Sequence, residues 1–171
     1  MTETLSPALP NDVEAMIDRV LKIASDRDVA LATAESCTGG LIASVLTDVE
    51  GRSHVFERGY VVYTDDAKAE EIAVPLRLIR QNGAVSEPVA RAMAEGAIAH
   101  SAAQVSVAVT GIAGPGGGSA DKPVGLVHFA AAGPGGLVHV EHGFGDIGRG
   151  PVRLECLRVA LRMIEGAVTN R

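Results

Sequence analysis

VALATAESCTGGLIASVL, residues 29–46, decides how the rest of the chain is read. An apolar run breaks into Glu35-Ser36-Cys37-Thr38-Gly39-Gly40 and resumes as Leu41-Ile42-Ala43-Ser44-Val45-Leu46, without the alternation of a solvent-facing strand. The pattern predicts a strand, a tight turn and a helix, with hydroxyls and a thiol at the C-terminal edge of a sheet. Paired glycines let backbone approach a ligand, and the free N–H groups of a new helix favour negative charge. A buried connection whose Ser and Thr only cap the helix fits the same spacing.

Outward from that stretch, the chain alternates. Asp12 is placed to cap a helix whose apolar positions Val13, Met16, Ile17, Val20, Leu21 and Ala24 recur at three- and four-residue steps. Residues 55–63 have the β-branched and aromatic content of a strand, ending at Tyr63 where Thr64-Asp65-Asp66 opens a helix with Lys68 in its first turn. Pro75 and Gly83 bracket a short helical piece, and Ser86-Glu87-Pro88 opens a longer one through Ala99. Val105–Val109 is a strand ending in Thr110, followed by a glycine-rich loop over 111–118. Residues 125–132 and 137–143 flank Gly133-Pro134-Gly135-Gly136 and predict a hairpin, and a last helix runs from Pro151 to about Thr169. Strands alternating with helices, plus one late hairpin, predict a three-layer α/β/α sandwich with a mostly parallel, mixed sheet. Ligands bind such sheets outside the carboxyl ends of the strands, where Ser36, Tyr63 and Thr110 would gather.

Composition narrows the function. The 171 residues suit one domain, read as 12–171 behind a flexible segment 1–11. Aromatics are only 3%, so the core must be built from small aliphatic residues. A net charge of −6 with no lysine-rich run argues against nucleic acid or a membrane surface as partner. Cys37 and Cys156 have neither disulfide-framework nor zinc spacing, no apolar run reaches the roughly 18 residues of a membrane span, and no basic, apolar-cored leader precedes Asn11. A cytoplasmic protein without a metal is the expectation. Strand edge 137–143 makes a homodimer conceivable.

Familiar catalytic patterns are absent: no P-loop, no dinucleotide fingerprint, no Gly-x-Ser-x-Gly, and no metal spacing among His54, His100, His128, His139 and His142. What remains is an oxygen nucleophile with a lysine. A neutral Lys68 can take the proton of Ser36 if its pKa is lowered, although Asp65 and Asp66 pull the other way. Tyr63 would relay the proton or hold developing charge, and backbone N–H groups at Thr38–Gly40 or Gly111–Gly114 would receive an oxyanion. Cys37 is a rival nucleophile, and a solvated helix lysine is the plain alternative for Lys68.

Four blocks in order carry a resemblance: AESCTGG at 34–40, GYVVYTDDAK at 59–68, NGAVSEPVARAMAEGA at 82–97 and VAVTGIAGPGGGSADKPVGLVHFA at 107–130. Together they resemble the C-terminal domain of the competence/damage-inducible protein CinA, which also occurs alone as nicotinamide-nucleotide amidohydrolase. The resemblance spans roughly residues 12–165 and implies deamidation of nicotinamide mononucleotide to nicotinic acid mononucleotide and ammonia, with no metal or organic cofactor. It places the nucleophile on Ser36, the general base on Lys68, an assisting tyrosine on Tyr63 and a site threonine on Thr110. Thr38, Gly39, Gly40, Gly111 and Gly114 would bind the substrate, with Lys122 or a helix N-terminus taking the 5′-phosphate. The resemblance does not extend to the additional N-terminal domain of many relatives. Where relatives read Gly-Asp-Arg, this chain reads Gly145-Asp146-Ile147-Gly148-Arg149, which moves Arg149 out of register. A non-catalytic nucleotide-binding module and an amidase acting on another small amide are the other readings.

Overall fold

A computed structural model describes residues 9–170, so all but the last part of the segment expected to be flexible lies outside the described residues. Six helices and five strands follow in the order α1 (Asn11–Asp26), β1 (Leu31–Glu35), α2 (Leu41–Leu46), β2 (Phe56–Val61), α3 (Asp65–Ile72), α4 (Leu76–Asn82), α5 (Glu87–Ala99), β3 (Val105–Gly111), β4 (Leu126–Gly133), β5 (Gly136–Gly143) and α6 (Arg149–Thr169). The first helix starts at Asn11 behind Pro10, and Leu9 already packs on the core. Asp12 is therefore not its cap. It sits in the first turn, where its carboxylate accepts from Arg158 at 2.8 and 3.0 Å.

The sheet has the order β2-β1-β3-β4-β5. β1 pairs in parallel with both β2 and β3, and the β3–β4 and β4–β5 pairs are antiparallel, so four of the five strands point one way. Side-chain alternation splits the core in two. Leu31, Val105, Val107 and Val109 face α1, α2 and α6, while Ala32, Ala34, Ala108, Ala130 and Ala132 face α5 and its neighbours α3 and α4. The alanine face lets α5 lie close on the sheet, and Ser106 on that face donates to the Ala94 carbonyl at 2.7 Å. This is the three-layer sandwich with a mixed sheet, and it explains how a chain so poor in aromatics closes its core. Among the described residues no helix is long and apolar enough to cross a membrane.

Candidate active site

Parallel pairing of β1 with β2 and β3 brings three C-terminal strand ends to one edge. Glu35 is opposite Val61 and Val109, so Ser36, the residues after Val61 and Thr110 converge there. A cleft of about 270 Å³ opens at this edge. Ser36, Cys37, Lys68, Tyr63 and Arg149 line it on one side, with Thr110, Ala84, Val85 and the loop from Gly111 to Gly117 opposite. Lys68 and Arg149 are the basic residues among those that line it, and no acidic one is.

Lys68 is only 1% exposed, although it sits on a helix that opens with two aspartates. Thr64 caps that helix through Ala67 N–H at 3.1 Å, which fixes the rotation that turns Lys68 inward. Its Nζ donates to Ser36 Oγ at 3.2 Å, to the Val62 carbonyl at 3.0 Å and to the Tyr63 carbonyl at 3.3 Å. Burial lowers its pKa, with Asp65 and Cys37 opposing, and the desolvation is the larger effect. The question that the two aspartates leave open in the sequence is thus decided by the depth of the side chain. A neutral amine here spends its two hydrogens on the two carbonyls, and the remaining lone pair is directed at the Ser36 hydroxyl.

Tyr63 contributes differently from expectation. The residue is 59% exposed and its phenol oxygen accepts from Arg149 Nη2 at 3.4 Å; Lys68 and Ser36 meet directly, and only the Tyr63 carbonyl touches the amine. Thr110 lines the cleft but donates its hydroxyl to the Ala84 carbonyl at 2.8 Å, bracing the opposite wall. Gly111 also lines it, yet a Cβ there would come within 2.7 Å of Val127, so close strand packing is what demands the glycine. Gly114 has φ +81° and offers its carbonyl to Arg149 Nη1 at 3.2 Å.

The expectation that Thr38, Gly39 and Gly40 present free N–H groups to a substrate fails for the two glycines. Gly39 N–H donates to the Ser36 carbonyl and Leu41 N–H to the Thr38 carbonyl, and the N–H groups of Gly40, Ile42 and Ala43 all donate to the Glu35 carboxylate. None of the three residues lines the cleft. What this segment leaves over are the N–H groups of Cys37 and Thr38, which donate to no carbonyl or carboxylate among the described residues. Lys122 is likewise elsewhere: its Nζ donates to the Asn82 and Val85 carbonyls, 2.7 Å each, behind the cleft wall. The cation at the cleft is Arg149, whose two contacts are to neutral oxygens. Arg153, one turn on, donates to the Thr38 carbonyl at 2.7 Å and ties α6 to the serine turn.

Cys37 packs against Cys156 inside the α6-side core, and that contact, with burial second, pushes the Cys156 thiol up. Both thiols are free. No group of three or more metal-ligating side chains occurs among the described residues. Sequence reasoning missed Glu35 and Arg153 and discounted Arg149. The available signal for Glu35 was an acidic residue closing a small-residue strand, with a glycine pair three residues beyond it.

A serine with a buried lysine at the crossover edge of a three-layer α/β/α domain defines a class of candidate acyl-transfer sites. Residues 13–168 match the CinA C-terminal domain, and the chain belongs to that family. It is 57% identical over 117 residues to a CinA-like protein of Akkermansia muciniphila, covering 68% of this chain and 28% of that one. Against a CinA-like protein of Anaeromyxobacter dehalogenans the identity is 45% over 152 residues, 88% of this chain and 37% of the relative. The chain thus spans well under half the length of these curated relatives. Among solved structures, the competence/damage inducible protein CihA from Agrobacterium tumefaciens superposes with a TM-score of 0.91 at 46% identity, over 98% of this chain and 99% of that one. A CinA superfamily protein from Klebsiella pneumoniae gives 0.87 at 28%, over 93% and 99%.

Proposed function

We propose that the protein hydrolyses the carboxamide of nicotinamide mononucleotide, giving nicotinic acid mononucleotide and ammonia, a salvage step of pyridine nucleotides in the cytoplasm. The observation that carries this reading is the 3.2 Å contact between Lys68 Nζ and Ser36 Oγ, with the amine desolvated and held by two carbonyls. Neutral Lys68 removes the Ser36 proton as Oγ attacks the carboxamide carbon. The resulting ammonium returns that proton to the nitrogen as the C–N bond breaks, releasing ammonia and leaving an ester on Ser36. Water then attacks the ester, giving its proton to Lys68, and the acid departs as the serine is restored. The N–H groups of Cys37 and Thr38 face the developing oxyanion, a role in which a single donor is worth roughly 3–4 kcal/mol. Every step uses side chains, backbone and water, so the reaction calls for neither a metal nor an organic cofactor.

Arg149 takes the 5′-phosphate. A guanidinium whose contacts are two neutral oxygens exchanges them readily for a dianion, and a cleft lined by no carboxylate favours the anionic end of a nucleotide. The ring packs on Ala84, Val85 and Ile112. A homodimer through the β5 edge belongs to the same proposal, and sedimentation of the purified chain tests it. The decisive experiment is ammonia release from nicotinamide, its riboside and its mononucleotide. Turnover is expected only with the mononucleotide, and none in Ser36→Ala or Lys68→Ala. Arg149→Ala is expected to raise KM for the mononucleotide about 10- to 100-fold, the equivalent of one charged hydrogen bond at roughly 1.5–3 kcal/mol. Full turnover by Ser36→Ala overturns the reading. Thermal stabilisation by the mononucleotide without turnover in the unsubstituted protein replaces it with a binding module.

A further inference from the structure

We propose that Glu35 is a positioning residue: its carboxylate clamps the turn that carries Ser36, while its carbonyl anchors the strand end that holds Lys68. The proposal rests on the serine–lysine reading above. Glu35 is fully buried at the end of β1. Its Oε2 accepts from Gly40 N–H and Ile42 N–H, 3.1 Å each, and its Oε1 from Ala43 N–H at 2.8 Å. All of these donors are backbone, and no ion pair to Glu35 occurs among the described residues.

The need for such a clamp follows from the turn itself. Gly39 and Gly40 stand at φ +60° and +92°, in a region where glycine is permissive and supplies no stiffness of its own. The helix that follows has only six residues, too few to hold an orientation by its own hydrogen bonds. An ordinary short cap on Gly40 would fix the helix start and leave the serine turn free to pivot. A carboxylate reaching across from the preceding strand fixes both ends of the turn at once, with Ser36 between them. On the other side, the Glu35 carbonyl accepts Val62 N–H at 2.8 Å, and the Val62 carbonyl accepts from Lys68 Nζ at 3.0 Å. One residue therefore sets both members of the 3.2 Å contact, which chemistry requires to be correct to a few tenths of an ångström. The same three bonds close the N-terminus of α2 to a substrate anion, so that duty falls to Arg149.

The test reads the nucleophilicity of Ser36 without assuming a substrate. Wild type, Ser36→Ala, Glu35→Gln and Glu35→Asp are labelled with a fluorophosphonate, following rate and final stoichiometry by intact mass and the site by peptide mapping. Wild type is expected to label once, on Ser36. Both Glu35 variants are expected to reach the same stoichiometry about 10- to 100-fold more slowly, as about 1 Å of misplacement implies. The pH midpoint should stay where it is, since burial, Asp65 and Cys37 set the amine. Labelling of folded Glu35→Gln or Glu35→Asp at the wild-type rate overturns the proposal. So does a lower stoichiometry at an unchanged rate, which marks loss of folded protein and nothing more. If circular dichroism shows Glu35→Gln unfolded, Glu35→Asp, which keeps the charge, decides by the same criteria. Failure of wild type to label Ser36 overturns the serine–lysine pair itself, and is seen before any Glu35 variant is compared.

Discussion

Lys68 is where the energetic cost of the site is concentrated. Burial favours this amine without its proton and outweighs Asp65 and Cys37, while two carbonyls and the Ser36 hydroxyl give it hydrogen-bond partners. Because its folded pKa lies below the ordinary lysine value of 10.5, the unfolded chain binds more protons between the two, and stability rises with pH across that window. Below the folded pKa both states carry the proton and the burial penalty is present in full; above 10.5 it is gone. Urea titrations from pH 7 to 10.5 should show wild type gaining stability relative to Lys68→Met as pH rises. Ammonia release should climb over the same limb as the amine loses its proton. Parallel stability curves for the two proteins would place the lysine in solvent contact.

At the scale of elements, the cleft wall opposite the serine is a turn braced from two sides. Residues 83–86 connect α4 to α5; Thr110 of β3 holds the Ala84 carbonyl, and Lys122 of the loop after β3 holds those of Val85 and of Asn82, the last residue of α4. Gly83 stands at φ +77°, a backbone conformation that side chains with a Cβ rarely adopt, and that is what calls for glycine there. Lys122→Met leaves two carbonyls without their charged donor and is expected to cost about 1–3 kcal/mol. It should lower the denaturation midpoint and raise KM while sparing the rate of Ser36 labelling. An unchanged midpoint and KM would show that the turn stands without the lysine. The sequence offers Lys122, as a cation, or a helix N-terminus for the phosphate. The chain bends Lys122 toward two carbonyls, and no local spacing records that.

For the whole molecule, the position of α3 against α5 decides whether Lys68 reaches the serine. The two helices cross at Gly96, where a Cβ would stand 2.0 Å from the Ile72 carbonyl oxygen. Gly96→Ala must push α3 away or bend α5, an overpacking cost of roughly 1–3 kcal/mol, and with α3 goes Lys68. Gly166→Ala on α6 meets nothing within 4 Å and is the matched control, expected to stabilise by about 0.5–1 kcal/mol. Thermal melts and fluorophosphonate labelling of the pair check both signs. Equal stability of the two variants would show that the α3–α5 crossing has room to spare.

The elements themselves were legible, because each announces itself locally. Thr64 and Pro75 start helices, Gly83 ends one, and the hairpin follows its turn glycines; the strand expected to end at Tyr63 stops at Val61, while the other two end beside Ser36 and at Gly111, one residue past Thr110. The sequence by itself determined the layered α/β architecture, since periodicity and turn chemistry act over a few residues, and it singled out Ser36 and Lys68 by residue type. Only the tertiary structure decided what those residues meet. The folded turn decides that the Glu35 carboxylate, five to eight residues away, takes up the glycine-turn amides. Whether Lys68 is desolvated and whether Lys122 or Arg149 stands at the cleft depend on contacts between segments tens of residues apart. Such contacts are fixed by the depth and crossing of helices on the sheet, which no local pattern encodes.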